Sequence, residues 1–224
     1  MKIFKTFTTK KDGNIAYHVT DDKKSVDGAR LKLAKKHNFD ISTLHYMDQI
    51  HSNIVEDISP TNNRQTCDAL VTNKPNTPLL VMVADCIPIL FYDDTNYTIG
   101  VAHAGRNGTF QNISANTVKK MIDDYSCKAK DIKVEMGPSI QKCCYEVSCE
   151  LANITIKSFG KVFEKNRYID LQGINKMQLL ALGVKEENIT ISNICTKCSN
   201  EPYFSYRKNN KCGRFGGIIM IKTK

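Results

Sequence analysis

The densest apolar stretch of the chain, Leu79 to Gly105, holds two hydrophobic runs separated by a short polar cluster from Asp93 to Asn96. Runs of that length, bounded by turn-forming residues, predict two antiparallel strands joined as a hairpin. The first run carries Cys86 and the second carries His103. A loop of two or four residues sets these side chains opposite each other, where Cα atoms of a non-hydrogen-bonded pair lie about 4.5 Å apart. Pro88, inside the first run, predicts an edge or a bulge beside Cys86.

The remaining pattern alternates between short apolar runs and helical periods. Met1 to Val19 predicts one or two short strands turning at Asp12-Gly13, and Val26 to His37 predicts a helix with Val26, Ala29, Leu33 and Ala34 near one face. His45 to Ile58 predicts a strand in which His45 and His51, six residues apart, point the same way. Gly105 to Gly108 predicts a glycine-bounded turn, followed by a helix with Val118, Met121, Ile122 and Tyr125 on one face. Further on, a strand to Met136, a helix through Ile154 and Phe159, and a helix capped by Asp170 and ended by Gly183 are expected. A strand before Cys195 and a last hairpin from Tyr203 to Lys222 complete the reading. Alternating strands and helices with antiparallel hairpins predict an α/β (α+β) protein built on a mixed sheet covered by helices.

Composition narrows the class. A chain of 224 residues with no linker-like segment is expected to form a single domain, 1–224. No apolar run is long enough for a membrane span, and the first residues lack the pattern of a signal peptide, so a cytoplasmic protein is expected. Nine cysteines, an odd number in a chain too long to need staples, are expected to be reduced thiols, with room for a few ligands among them. The net charge of +9 comes from lysines scattered among acidic residues, which predicts a solvated surface rather than a nucleic-acid stripe. Small anions such as phosphate fit that charge.

Two groups of residues carry candidate chemistry. Cys195 and Cys198 form a C-x2-C pair, with Cys212 and the group of Cys143, Cys144 and Cys149 as potential completions, but a zinc ribbon needs a second close pair, Cys143-Cys144 are adjacent and Cys212 stands alone. On that ground Cys143, Cys144, Cys195 and Cys198 are read as structural residues. These four are expected to bind no metal. Cys86 with His103 admits three readings from spacing alone. The thiolate is a nucleophile activated by the imidazole, as in amidases and deamidases. Alternatively, thiolate and imidazole hold zinc or copper with His51 as a third ligand, leaving one coordination position open as catalytic sites do. The third reading is a buried cysteine beside an ordinary histidine.

A resemblance separates them. Gln49-Ile50-His51-Ser52, Cys67-Asp68-Ala69, Ala84-Asp85-Cys86-Ile87-Pro88 and His103-Ala104-Gly105 stand in the order seen in the laccase-domain family, also called YfiH-like or multicopper polyphenol oxidoreductases. Later blocks resemble it too: Gly137-Pro138, Tyr145-Glu146-Val147, Asp170-Leu171, Cys195-Thr196, Phe204-Ser205-Tyr206-Arg207 and Gly213-Arg214. The resemblance implies a mixed-sheet α/β/β/α sandwich and a metal site on His51, Cys86 and His103. It also implies either copper-dependent phenol oxidation or, as described for similar enzymes, purine nucleoside phosphorolysis with adenosine deamination.

The chemistry favours the second activity, because a multicopper oxidase needs many more histidines than the five present. The expected substrates are nucleosides (adenosine, inosine, guanosine, methylthioadenosine) with phosphate, and zinc is the expected metal with copper as the alternative. Where the family usually has His-Ala-Gly-Trp-Arg-Gly, this chain has Arg106-Asn107-Gly108 after Gly105; where the family has Phe-Ser-Thr-Arg, it has Lys10 at the last position. Lys10, Arg106, Asn107, Gly108, Tyr206 and Arg207 are the expected substrate or phosphate contacts. A cysteine-histidine amidase and a weakly catalytic nucleoside-binding protein are the alternatives.

Overall fold

A computed structural model of the chain describes residues 1–19 and 22–223. Thirteen strands and five α-helices are present among them. The helices are α1 (Lys23–His37), α2 (Arg106–Phe110), α3 (Ile113–Tyr125), α4 (Cys149–Phe159) and α5 (Leu171–Ala181). Side chains cap three of them where free N–H groups need partners: Asp22 accepts from Ser25 N, Ser148 from Leu151 N, and Asp170 from Gly173 N.

Eleven of the strands form two sheets. One runs, edge to edge, Lys2–Phe7, Phe215–Lys222, Leu79–Val83, His45–Asp48, Arg64–Thr66. The other runs Ile189–Ile191, Lys133–Met136, Ile87–Asp93, Thr98–Ala104, Ala69–Thr72, Val55–Asp57. The period of two along each strand divides its side chains between neighbouring layers. Leu79, Val81 and Val83 meet Leu90, Ile99, Val101 and Phe215 between the sheets. Leu80, Met82 and Ile218 face the other way and bury Ala29 and Leu33 of α1. Ile89, Phe91 and Val134 bury Val118 and Met121 of α3 and Ile174 and Leu179 of α5. The three apolar clusters are therefore the three seams of an α/β/β/α sandwich, as the resemblance implied.

The register explains where chemistry can gather. His45–Asp48, Arg64–Thr66 and Leu79–Val83 are mutually parallel in the first sheet. Val55–Asp57, Ala69–Thr72 and Ile87–Asp93 likewise share one direction in the second, the last two both lying antiparallel to Thr98–Ala104. Each of the first three strands is followed, across a short crossover, by one of the second three. The three crossovers consequently lie at one end of the sandwich, and they carry His51, Asp68 and Cys86.

Several expectations are corrected here. Leu79 to Asp93 is not one hairpin arm: it is two strands in different sheets, broken at Ala84-Asp85-Cys86, where Asp85 has φ 90. The hairpin that does form pairs Ile87–Asp93 with Thr98–Ala104 through Asp94–Tyr97, and its register sets Pro88, not Cys86, against His103. Pro88 lies in an inner strand rather than at an edge or bulge. His103 N donates outward to Asp68 O, so its pair with Pro88 needs no proline N–H, and Pro88 O accepts from Gly137 N beyond the end of the next strand. His45–Ile58 is divided in the same way, His45 staying in its strand while His51 lies in the crossover. The region Asn14 to Val19 forms no strand, Gly105 to Gly108 opens the short helix α2, and the C-terminal segment supplies one strand, not a hairpin.

Two glycines give opposite predictions. A Cβ on Gly216 would lie 2.2 Å from Val81 O, the backbone of the adjacent strand, whereas one on Gly28 in α1 would meet nothing within 4 Å. Gly216→Ala is expected to destabilise the fold by about 3 kcal/mol or more through overpacking. Gly28→Ala is expected to stabilise it by about 0.5–1 kcal/mol through helix propensity. Urea denaturation of both variants checks the pair.

Candidate active site

The carboxylate of Asp68, wholly buried, draws the crossover ends together. Its oxygens accept from the backbone N–H of Ile50, His51 and Ser52 at 3.2, 3.1 and 2.6 Å and from Ser52 Oγ at 2.7 Å. Those bonds hold His51 in the left-handed region at φ 59, a conformation that a bulky residue adopts only under constraint. Asp68 Oδ1 also lies 2.8 Å from His103 Nδ1. The Nδ1–H donates to that carboxylate, which leaves Nε2 free to face Cys86; this is the arrangement that orients a metal-binding imidazole. Ligating atoms of His51, Cys86 and His103 all lie within 4.8 Å of one another. A Cβ on Gly105 would stand 3.0 Å from Cys86 Sγ and 3.7 Å from His103 Nε2, so the absence of a side chain there keeps the cluster open.

Electrostatics follow from this packing. Burial would raise the Asp68 carboxyl, but the bonds from His103 and Ser52 outweigh it and hold it at about 2. Burial likewise opposes charge on Cys86 and His103, and each overcomes it for the other: the imidazolium lowers the thiol, and the thiolate with Asp68 raises the imidazole. In the metal-free site each of the pair therefore shifts the other toward its charged form. By contrast, burial pushes Cys67, next to Asp68, up to about 12, which makes it an inert packing group.

A cavity of about 470 Å³ opens over the cluster. His51, Cys86 and His103 line its floor, and Arg106, Asn107, Tyr206 and Arg207 line it as well. Lys10 and Gly108 are not among its lining residues. Lys10 borders a separate cavity with Lys11, Lys32 and Lys36, and Gly108 is buried against Ser52 O and His103 O. The structure adds His18, Asp85, Tyr145 and Arg214 to the lining. Asp85 accepts from Thr196 Oγ1 at 2.6 Å and from Arg207 N at 2.7 Å, so the strained crossover beside Cys86 also fixes the backbone of Arg207. The Arg207 guanidinium lies 5.0 Å from the Tyr145 ring centroid and donates to Glu146 O. Burial and the nearby Arg214 lower the His18 imidazole, which keeps it neutral at the cavity. His37 packs on Phe4, and His45 is buried in its strand away from the cavity.

The donor set suits a borderline divalent metal: two imidazoles and one thiolate, one imidazole backed by a carboxylate, with room for a further ligand. A two-sheet sandwich with such a cluster at the crossover end defines a class of enzyme-like proteins rather than a structural module. The chain belongs to the multi-copper polyphenol oxidoreductase laccase family, whose model matches residues 7–222. It is similar to a protein of Corynebacterium glutamicum named purine nucleoside phosphorylase, with 32% identity covering 97% of this chain and 94% of the relative. The purine nucleoside phosphorylase YlmD of Bacillus subtilis is 29% identical over 96% of this chain and 87% of its own length. Among solved structures, a Bacillus licheniformis hypothetical protein YfiH superposes with a TM-score of 0.92 at 27% identity, over 98% of this chain and 93% of that one. No helix among the described residues is long and apolar enough to cross a membrane.

A pH prediction follows from Asp68. Its carboxyl is depressed from 3.8 to about 2 in the fold, so its stabilisation is present above about pH 4 and is lost as pH falls toward 2. Asp68→Asn in metal-free protein is expected to lower stability at pH 7 by about 1–2 kcal/mol and to flatten the stability curve across that acid window. Urea midpoints measured from pH 2 to pH 7 check this; parallel curves for the two proteins would refute it.

Proposed function

We propose that this chain is a metal-dependent purine nucleoside enzyme that carries out phosphorolysis of adenosine, inosine, guanosine and methylthioadenosine and deaminates adenosine. The observation that carries the reading is the joining, in one cavity, of a His51, Cys86 and His103 cluster with arginines and aromatic rings on the walls. The names of the curated relatives support phosphorolysis in particular.

Phosphorolysis forms a bond from a phosphate oxygen to ribose C1′ and breaks the bond from C1′ to purine N9. The electron pair departs with the base, which takes a proton. A dianionic nucleophile needs cations, and Arg106, Arg207 and Arg214 provide them. Tyr145 and Leu171 supply flat and apolar surface for a purine. The Arg106 guanidinium already donates to Asn107 Oδ1 at 2.8 Å, whereas Arg207 is anchored by its backbone and by Glu146 O, so Arg207 is the stronger phosphate candidate. Zinc held by His51, Cys86 and His103 would supply Lewis-acid chemistry, for either the departing base or a water directed at adenine C6.

The oxidase reading requires several coppers and their histidines. Among the described residues, only His51 and His103 of the five histidines share a metal-competent group, and His37 and His45 lie elsewhere. A second reading, the cysteine nucleophile of an amidase, is favoured by one observation, the close approach of the Cys86 thiol to the His103 imidazole, which shifts each toward its charged form. Metal content separates it from the first.

Adenosine incubated with metal-replete protein is expected to give inosine, and with phosphate also adenine and ribose 1-phosphate, when products are resolved by chromatography. Cys86→Ala and His103→Ala are each expected to lose about 100-fold or more in kcat together with most of the metal at this site. Arg207→Ala is expected to raise the KM for phosphate about 10-fold or more, the worth of one charge-assisted hydrogen bond, with a smaller change for deamination. Oxygen uptake with a phenol at stoichiometric copper, and no nucleoside turnover, would overturn the proposal. Full activity of metal-free protein that is abolished by alkylating Cys86 would favour the nucleophile.

A further inference from the structure

The second cysteine group, which lacks two close pairs along the chain, is gathered by the fold. Ile189–Ile191 and Lys133–Met136 are parallel neighbours, so the loops that follow them leave the same end of the sheet side by side. Ser139 forms a bridge with Cys195, Thr196 N donates to Ser139 O at 3.1 Å, and Gln141 Nε2 donates to Ser192 O at 3.2 Å. This zipper lays the turn holding Cys143 and Cys144 over the turn holding Cys195 and Cys198. The sulfur atoms of all four then lie within 4.8 Å of one another. The missing second close pair is therefore supplied by an adjacent pair in a tight turn, where Cys144 N and Tyr145 N both donate to Gln141 O.

The spacing is that of thiols around an ion and not of a disulfide. Cys143 Sγ and Cys198 Sγ are 3.7 Å apart, and all four cysteines are free. A tetrahedral zinc ion with bonds of about 2.3 Å sets its sulfurs about 3.8 Å apart, while a disulfide draws them to about 2.05 Å.

We propose that Cys143, Cys144, Cys195 and Cys198 form a second metal site, a closed four-thiolate centre for zinc, separate from the His51, Cys86 and His103 cluster. Four protein ligands fill the coordination shell, so the site is structural. Its place in the fold states what it secures. Cys144 precedes Tyr145, and Cys195 precedes Thr196, whose hydroxyl bonds Asp85. Zinc there ties together the two loops that form one wall of the cavity. Each thiol that binds releases its proton to solvent, so binding tightens as pH rises.

The test uses the full chain purified under reducing conditions and measured by elemental analysis, with zinc as the only added probe. Wild type is expected to carry two equivalents of zinc. One equivalent is expected in His51→Ala/His103→Ala and one in Cys195→Ser/Cys198→Ser. Because the second variant removes a buried thiol, Cys143→Ser and Cys198→Ser, both at exposed positions, provide milder losses whose folding is checked by circular dichroism. A footprint on wild type needs no variant: iodoacetamide labelling read by mass spectrometry is expected to spare all four cysteines when zinc is added and to modify them after chelation. Equal zinc in wild type and Cys195→Ser/Cys198→Ser, or labelling of the four that zinc does not change, would overturn the site. A Cys143–Cys198 disulfide in protein isolated without zinc on the cluster would overturn it in favour of a redox pair.

Discussion

A carboxylate with no solvent contact has to be paired at nearly every lone pair, and Asp68 meets that demand by gathering groups from two other segments of the chain. It takes the N–H groups of Ile50, His51 and Ser52, the Ser52 hydroxyl and the Nδ1–H of His103. Removing any one donor leaves buried charge uncompensated, so the left-handed turn at His51 and the ring orientation of His103 are enforced together. Asp85 has the corresponding role at the crossover that carries Cys86. Held at φ 90, it directs its oxygens to Thr196 and Arg207. Between them these two acids connect the floor of the cavity to its wall.

The sandwich achieves such convergence with little chain. Parallel strands within each sheet place the three crossovers from the first sheet to the second at the same end, and short loops there are enough to bring His51, Asp68 and Cys86 within reach of His103 near the end of its strand. The same end receives the loops after Met136 and Ile191 and the start of the strand at Phe215, which bring Tyr145, the cysteine cluster and Arg214. A rigid two-sheet body with variable loops at one end is a common way for a fold to carry chemistry.

Much of this is legible in the residues, for identifiable reasons. Helical periods and caps place α1, α3 and α5 because burial on one face and a terminal Asp or Gly leave local marks. The apolar runs of Leu79 to Gly105 mark the central strands, but not the break at Asp85. A positive φ on aspartate is held by Thr196 and Arg207, more than a hundred residues away, and leaves no glycine behind. The His51, Cys86 and His103 grouping comes from the resemblance, with Cys86 and His103 also suggested by the hairpin. Yet the register places Cys86 just outside the ladder, so the two converge at the strand end rather than side by side. Lys10 belongs to an N-terminal motif that folds toward a different cavity. The C-x2-C spacing marks Cys195 and Cys198, but their approach to Cys143 and Cys144 leaves no mark along the chain, because it is made between two loops held by the Ser139–Cys195 bridge and the hydrogen bonds beside it. His18 has no local signal, and Gly213-Arg214 stands in a block of the resemblance without a site role attached to it; both His18 and Arg214 reach the cavity through long-range packing.

The central claim is that the crossover end is a metal centre built by His51, Cys86 and His103 under the control of Asp68. An anomalous-difference map at the zinc edge, from crystals of protein purified without added metal, tests it most directly. A peak within about 2.0–2.3 Å of one nitrogen of each imidazole and of the Cys86 sulfur is expected, with the opposite nitrogen of His103 still on Asp68. A map with no peak there, in crystals of protein that turns over substrate and carries a covalent adduct on Cys86, would contradict it.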